Sequence, residues 1–485
     1  MGKSIMRTLV WLLLLAFTFS AAISCADNKS DAAGSDTSTA PEVEKEYLDN
    51  LPADTNLDGR KIRLLSSDES SFKSVEEAID VVDTAVYNRN LKIEERLNYT
   101  VEPVFDTGWG VVKDKLVKSV TANSDDFDLY AGYGYWSISL ASDGHMRNLA
   151  NMPNIDMSQP YWGKKFIDAM AYKNYIYWLT GDIVLNYTNG IYATFVNHDQ
   201  WKDRFSEVDL YQLVLDGGWT LDKMAEYAAA SYSDLNGNSK VDKDDFCGYV
   251  FTTEDDIDGM SIAAGVRFTE FDTEGVPFIT ITDKGLDTAV KFAEKLSALC
   301  WGPGSFCAPS DDCKTMFTMF GNLHAMFTVG RLAHGSTYLR DMKEDFAIIP
   351  APKLDETQET YLTTLHDGTT IIGIPKTVND DAAIAVCAVL EGLAAESYKS
   401  LTPVYLDVAL KNKYTRDEKS AEMIDLIRKN IVSDFGFQYT ATGFNNFFRS
   451  RTKTGVGVAT HVAKSQKSWE KSLETILKSL EKNAG

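Results

Sequence analysis

Cysteine and histidine are scarce, six of each among 485 residues. After Cys25 five cysteines remain, Cys247, Cys300, Cys307, Cys313 and Cys387. An odd number cannot all pair within one chain, so no obligatory disulfide framework holds the fold, although Cys300, Cys307 and Cys313 lie close enough along the chain to allow one bridge. The histidines, His145, His198, His324, His334, His366 and His461, are scattered, and none is paired at metal-ligand spacing on a helix. The chain lacks G-x-x-x-x-G-K-[ST], H-E-x-x-H, G-x-S-x-G and a G-x-G-x-x-G after a strand. Nucleotide hydrolysis, zinc proteolysis, nucleophile-elbow chemistry and dinucleotide binding are therefore without a signature, and no organic cofactor is expected. Basic residues are the minority, Lys+Arg 48 against Asp+Glu 70 for a net charge of −22. Nucleic acid needs a positive face and is not expected as a partner. With 70 carboxylates, the pair that a glycoside hydrolase needs could be drawn almost anywhere, so that chemistry stays open.

Hydrophobic residues at 44% and charged residues at 24% are ordinary for a globular protein. At about 150 residues per domain the length suggests two or three folded units. One long apolar run stands out, at the start. Lys3 and Arg7 precede Leu9 to Phe19, with four consecutive leucines from Leu12, and Ala21, Ala22 and Ser24 follow. The run is short of the roughly 20 residues of a membrane span and has no basic stop-transfer flank, so residues 1–24 read as a signal peptide. Ala22-Ile23-Ser24-Cys25 resembles the bacterial lipobox, in which the cysteine thiol is diacylated. That resemblance implies a lipoprotein held to the bacterial membrane through Cys25. Ala26 to Glu46 is rich in Ser, Asp, Ala, Thr and Glu with little to bury, and residues 25–54 read as a flexible tether.

Beyond the tether, β-rich runs alternate with helical periodicity, the pattern of an α/β protein. Strands are expected at Lys61–Ser66, Tyr99–Phe105, Asp128–Ala131, Ile176–Leu179, Ile191–Val196, Ala325–Val329, Phe346–Ile349 and Thr369–Ile374. Helices are expected over Val75–Leu97, from an N-cap at Thr220 to Ala230, from an N-cap at Asn379 to about Ala395, and over Lys464–Asn483. Asp234, Asn236, Asn238, Lys240, Asp242 and Asp245 stand at positions 1, 3, 5, 7, 9 and 12 of a twelve-residue loop. Those are the EF-hand and dockerin spacings for structural Ca²⁺, with Lys240 supplying a backbone carbonyl. Ser239 in place of glycine at position 6 and Asp245 in place of glutamate at position 12 depart from the pattern, and a polar turn before a helix explains the same residues.

The whole mature chain resembles the bacterial extracellular solute-binding proteins of family 1, the sugar-binding lipoproteins of ABC importers. The resemblance rests on the run from Asp83 to Asn98, on Asp126-Phe-Asp-Leu, and on Leu149, Met152-Pro153, Ile155-Asp156 and Pro160-Tyr161-Trp162. Gly218-Trp219-Thr220-Leu221-Asp222-Lys223, Ala325-Met326 with Gly330, Ile349-Pro350-x-Pro352 and Gly373-Ile-Pro-Lys376 follow in the same order. It implies a two-lobed periplasmic-binding-protein type II architecture with a ligand cleft between the lobes. One lobe would take residues 55–189 and 366–396, the other 190–365 and 397–485. It also implies a monomeric, non-catalytic receptor that hands a carbohydrate to separate permease subunits. A glycan-binding adhesin or sensor, an anchored hydrolase, and a peptide or polyamine ligand in the same fold are the alternatives.

A sugar offers apolar C–H faces and a rim of hydroxyls, so aromatic platforms combined with planar polar groups suit it. In an open α/β sheet, loops after strand carboxyl ends face the crevice. That rule selects Tyr133, Tyr135 and Trp136, then Ser67, Asp68 and Glu69, then Arg331 and His334. Asn189 and Tyr192 lie near the expected crossover, Asp367 precedes the return, and Phe435 and Phe437 would supply a second stacking face.

Overall fold

The computed structural model describes residues 46–73, 80–310, 313–411, 418–449 and 457–483. The signal peptide, Cys25, nearly all of the expected tether and the first turn of the helix expected from Val75 lie outside the described residues. Eleven strands occur among those described: β1 (Arg60–Ser66), β2 (Tyr99–Phe105), β3 (Leu129–Tyr133), β4 (Tyr192–Asn197), β5 (Cys247–Phe251), β6 (Thr269–Phe271), β7 (Pro277–Ile279), β8 (Ser305–Cys307), β9 (Ala325–Arg331), β10 (Phe346–Ile349) and β11 (Thr370–Gly373). They form two open sheets, ordered β11-β3-β1-β2 and β10-β4-β9-β5-β8, and the small hairpin β6-β7. In the first sheet β1 pairs in parallel with β2 and β3, while β11 returns from far along the chain to pair antiparallel with β3. In the second, β5 pairs in parallel with β8 and β9, and β4 and β10 are antiparallel. The mixed α/β architecture is what the alternating pattern implied, and the two sheets agree with the two lobes that the resemblance implied.

Each sheet is covered by helices whose apolar faces its side chains meet. Over the first, Val81–Leu97 and Asp380–Glu396 bury Ile93, Leu97, Val386 and Leu390 against Leu64 and Ile372. Asp80 and Asn379 cap these helices, accepting N–H bonds from Val82 and Asp83 and from Ala382. Over the second, Leu221–Ser231 and Leu286–Cys300 bury Met224, Phe292 and Leu296 with Phe327. Thr220 caps the former by accepting from Lys223 N–H. Close approach here requires a glycine, because a Cβ on Gly248 of β5 would lie 1.8 Å from the Ala228 carbonyl oxygen.

Three segments cross between the sheets. Ile191 and Leu365 form an antiparallel bridge on the outward and return crossings, and Ile431 pairs in parallel with Thr363 on the third. The final helix, Val458–Asn483, serves both sides. Val462 and Trp469 join the core of the second sheet, whereas Leu473, Ile476 and Leu480 join a cluster containing Leu65, Tyr130 and Trp178 beside the first. The segments Ser397–Leu401 and Thr402–Lys411, expected with the second lobe, pack on Val81–Leu97 beside the first sheet.

The structure corrects two other expectations. The folded body begins before residue 55, since Leu51 is buried, Asp49 pairs with Arg96, and the Arg96 guanidinium lies 3.9 Å from the Tyr47 ring centroid. The strand expected at Ile176–Leu179 is reduced to one bridge, Leu179 to Ile372, because the chain turns at Gly181 (φ 158) to pair with Trp162. No helix among the described residues is long and apolar enough to cross a membrane.

Candidate functional site

The main cleft has a volume of about 630 Å³ and takes its walls from both sheets. That is within the usual range for small-molecule sites, about 300–1,000 Å³. On the first side, β3 ends at Tyr133 and runs straight into Tyr135 and Trp136, which are 37% and 45% exposed and meet edge to face at 5.4 Å. Trp109 opens the helix that follows β2 and lies over Tyr133, ring centroids 4.4 Å apart and 26° between planes. The Asp106 carboxylate secures this turn by accepting the Gly108 N–H at 2.9 Å and the Lys115 ammonium at 3.0 Å. Beneath it Tyr130 and Ser137 share a hydroxyl hydrogen bond of 2.7 Å, and burial pushes the Tyr130 phenol up to about 12.

The opposite wall is polar. Thr252 and Glu254 follow β5, Ser310 and Cys313 follow β8, Arg331 ends β9, and Asn445, Asn446 and Arg449 come from the loop before the last helix. Arg449 donates through Nε to Asp258 at 2.7 Å and pairs with Glu254 at 3.0 Å, while Ser310 donates to the other Glu254 oxygen. Arg331 is held from below by His334, whose Nδ1 and Nε2 lie 3.2 and 3.1 Å from the Arg331 N–H and Nε; a neutral imidazole accepts only one of these. Asn445 is 5% exposed and lines the cleft with no hydrogen-bonding partner for its carboxamide among the described residues. The return crossing contributes His366 and Asp367 at 3.6 Å; the Gly368 N–H donates to His366 Nδ1, which leaves the proton of the neutral ring on Nε2.

A second chamber of about 180 Å³ adjoins the first and shares Trp109, Tyr133, Arg331 and His366 with it. Ser67, Asp68 and Asn189 line it, with Asn186 and Thr370. Asp68 is saturated, accepting from Ser70 Oγ, Ser71 N–H, Ser71 Oγ and Thr370 Oγ1 at 2.7–3.0 Å. A carboxylate has about four acceptor sites, so this one braces the loop and has none left over.

Of the residues expected at the ligand, Tyr133, Tyr135, Trp136, Arg331 and Asp367 meet in the cleft and Ser67, Asp68 and Asn189 in the chamber. The others lie elsewhere. Glu69 points away in an i,i+4 pair with Lys73. His334 is buried under Arg331, and Tyr192 is buried against Gly259. Phe435 and Phe437 are core residues, 0% and 2% exposed. Asp434 caps their short helix and accepts four bonds, from Phe268 N–H, Thr269 N–H, Thr269 Oγ1 and Phe437 N–H, which turns both rings inward. Trp109, Asn445 and Arg449 were not expected. Trp109 follows a strand carboxyl end and obeys the rule that selected Tyr133, whereas Asn445 sits in an irregular loop with no periodic signal.

The twelve-residue loop is held together by its own side chains, with the Asn236 and Asn238 amides donating to Asp242. Asp234 accepts from Gly237 and Ser239 N–H, Asn236 from Asn238 N–H, and Asn238 from Lys240 N–H. Ser239 takes the left-handed conformation (φ 59) that ordinarily favours glycine at position 6. Asp245 is buried and accepts from Leu235 N–H, Asp242 N–H and Tyr232 O–H. Among the described residues no three His, Cys, Asp or Glu side chains converge as a metal cluster. An ion here would have to draw on Asn and carbonyl oxygens as well.

No family model and no curated protein sequence matches the chain. Solved structures do. A cyclo/maltodextrin-binding protein complexed with maltotetraose aligns over 87% of this chain and 97% of its own at 14% identity, TM-score 0.53. The galacto-N-biose/lacto-N-biose I-binding protein of an ABC transporter from Bifidobacterium longum, in complex with lacto-N-biose, aligns over 86% and 98% at 11% identity, TM-score 0.55. UgpB from Mycobacterium tuberculosis, in complex with glycerophosphocholine, aligns over 85% and 98% at 12% identity, TM-score 0.55. The two open sheets, the three crossings and these alignments show that the chain has the two-lobed fold of periplasmic sugar-binding proteins, with its cleft between the lobes.

Proposed function

We propose that this protein is an extracytoplasmic receptor that binds a carbohydrate between its lobes and delivers it, unaltered, to the permease of an ABC importer. One observation carries the reading: an aromatic wall of Trp109, Tyr133, Tyr135 and Trp136 faces a polar wall whose charges balance. Among the described residues that line the cleft, Glu254 and Asp367 are the carboxylates and Arg331 and Arg449 the guanidinium groups. A cationic polyamine would want an acidic excess and a phosphate a basic one. A neutral polyhydroxylated ring wants neither, only a flat apolar face and fixed donors and acceptors such as the Asn445 amide. The sugars bound by two of the aligned proteins agree with this choice. Attachment to the membrane through a diacylated Cys25, after removal of residues 1–24, belongs to the same proposal, as does action as a monomer.

The test is calorimetric titration of the full chain with mono- and oligosaccharides, amino acids, peptides and polyamines, with chromatography of the recovered ligand. Saturable binding of one saccharide class at one site per chain, with the sugar recovered intact, is the expected result. A hydrolysed product would make it an enzyme, and binding confined to peptides or polyamines would overturn the ligand class.

We further propose that the loop from Asp234 to Asp245 holds Ca²⁺ through Asp234, Asn236, Asn238, the Lys240 carbonyl, Asp242 and Asp245 in a structural role. The backbone hydrogen bonds to the first three side chains and the left-handed Ser239 support it. Ca²⁺ at a hundred times its Kd should then raise the unfolding free energy by about 2.7 kcal/mol. Asp234→Ala should remove that gain, and absence of any calcium heat or stabilisation in chelated protein would refute the site.

A further inference from the structure

The smaller chamber differs from the cleft in what bounds it. Its collar is the Trp109–Tyr133 pair on one side and Arg331 with His366 on the other, the four residues shared with the cleft. Gly190 and Gly368 to Thr370 form its floor, at the ends of the outward and return crossings. Those crossings are zipped together. His366 N–H donates to the Gly190 carbonyl at 2.9 Å, Tyr192 N–H to that of Thr364 at 3.2 Å, and Ile191 bridges Leu365. A chain running from the cleft toward the crossings meets this paired backbone at the floor.

The polar groups of the chamber divide into spent and free. Asp68 is saturated, and Asn186 and Thr370 bond each other twice, Thr370 N–H to the Asn186 oxygen and the Asn186 amide to Thr370 Oγ1, both at 2.9 Å. Ser67 Oγ accepts the Tyr133 N–H at 3.1 Å and keeps its own proton to donate. The half-buried Asn189 carboxamide has no hydrogen-bonding partner among the described residues. At about 180 Å³ the space admits a single ring, whereas the cleft outside it admits several.

Resting on the receptor reading, we infer that the chamber is an end-reading subsite, which seats one terminal sugar of an oligosaccharide on Asn189 and Ser67 while the remaining units run outward over Trp109. The receptor then selects chain ends and rejects internal segments. Extension at the seated end drives a ring into the paired crossings, and extension at the other end meets open solvent.

The experiment takes the full chain and linear oligosaccharides that bind in the titration above. Each is compared unmodified, with a 2-aminopyridine group on the reducing end, and with a benzylidene acetal on the non-reducing end. One blocked form should lose at least about 100-fold in affinity, as expected when several buried polar groups are left unpaired, and the other should stay within about 3-fold. Asn189→Leu should weaken the accepted ligands by about 10-fold or more, by the same factor at every length, with an unchanged unfolding transition. Equal tolerance of both blocked ends, equal loss with both, or an Asn189→Leu variant that binds as the parent does would overturn the assignment. Failure of every saccharide to bind the parent would instead overturn the receptor reading on which it rests.

Discussion

Removal of the Trp109 indole is expected to weaken saccharide binding by about 30- to 1,000-fold, the range of a truncated aromatic anchor at about 2–4 kcal/mol. Trp109 is 49% exposed, with one face on Tyr133. Trp109→Ala therefore takes away a ligand platform without opening a hole in the core, and thermal unfolding should stay within the scatter of other surface changes. Trp136→Ala, 45% exposed in the parent, should behave in the same sense. Calorimetry and thermal unfolding on the same preparations separate the two effects. Unchanged affinity in Trp109→Ala would move the ligand off this wall.

Loss of Arg428 is expected to be the most costly single change for stability. Its guanidinium donates to Asp182 at 2.7 Å, Thr402 Oγ1 donates to the same oxygen at 3.0 Å, and the Asp182 side chain is 1% exposed. Burial raises the Asp182 carboxyl above the ordinary 3.8, and Arg428 opposes the rise. Arg428→Ala strands a buried carboxylate, which costs about 3–5 kcal/mol. The low end applies because the Arg428 side chain is 20% exposed. A carboxyl with a raised folded pKa holds its proton more tightly folded than unfolded, so its contribution falls as pH rises from the ordinary carboxylate value through the folded one. Without Arg428 that window widens upward. The deficit in urea denaturation should therefore be largest at about pH 8 and shrink toward about pH 5; an equal deficit at both would exclude the carboxylate as its cause.

The sequence disclosed the scaffold better than the site. Tyr99–Phe105 and Phe346–Ile349 are strands at the expected bounds, and Thr220 and Asn379 cap the helices assigned to them. Local chemistry decides such features. Cys247–Phe251 is not among the expected strands, because Gly248 interrupts a run of only five residues. The residues that carried the family resemblance turn out to be internal braces. Tyr161 and Trp162 donate to Glu391 at 2.6 and 3.0 Å, and Trp219 Nε1 donates to the Pro350 carbonyl at 3.1 Å. They define the scaffold and touch no ligand wall. Topology could point to the strand ends that bear Tyr133 and Arg331. It could not distinguish His334, which sits beneath Arg331, from Arg331 itself, nor see that Asp434 folds Phe435 and Phe437 into the core.

The position of β11 bears on how the molecule is made. The first sheet needs Thr370–Gly373 to cover the open edge of β3, and the last helix, ending at Asn483, reaches back to donate to the Ser142 carbonyl at 2.7 Å. A ribosome emits the chain from one end, and domains built from contiguous sequence fold as they emerge. Here the lobe whose strands come first cannot be completed until residue 373 has been made, and a further contact waits for Asn483. Synthesis and folding are thereby separated in time, and β3 keeps an unpaired edge until β11 has been made.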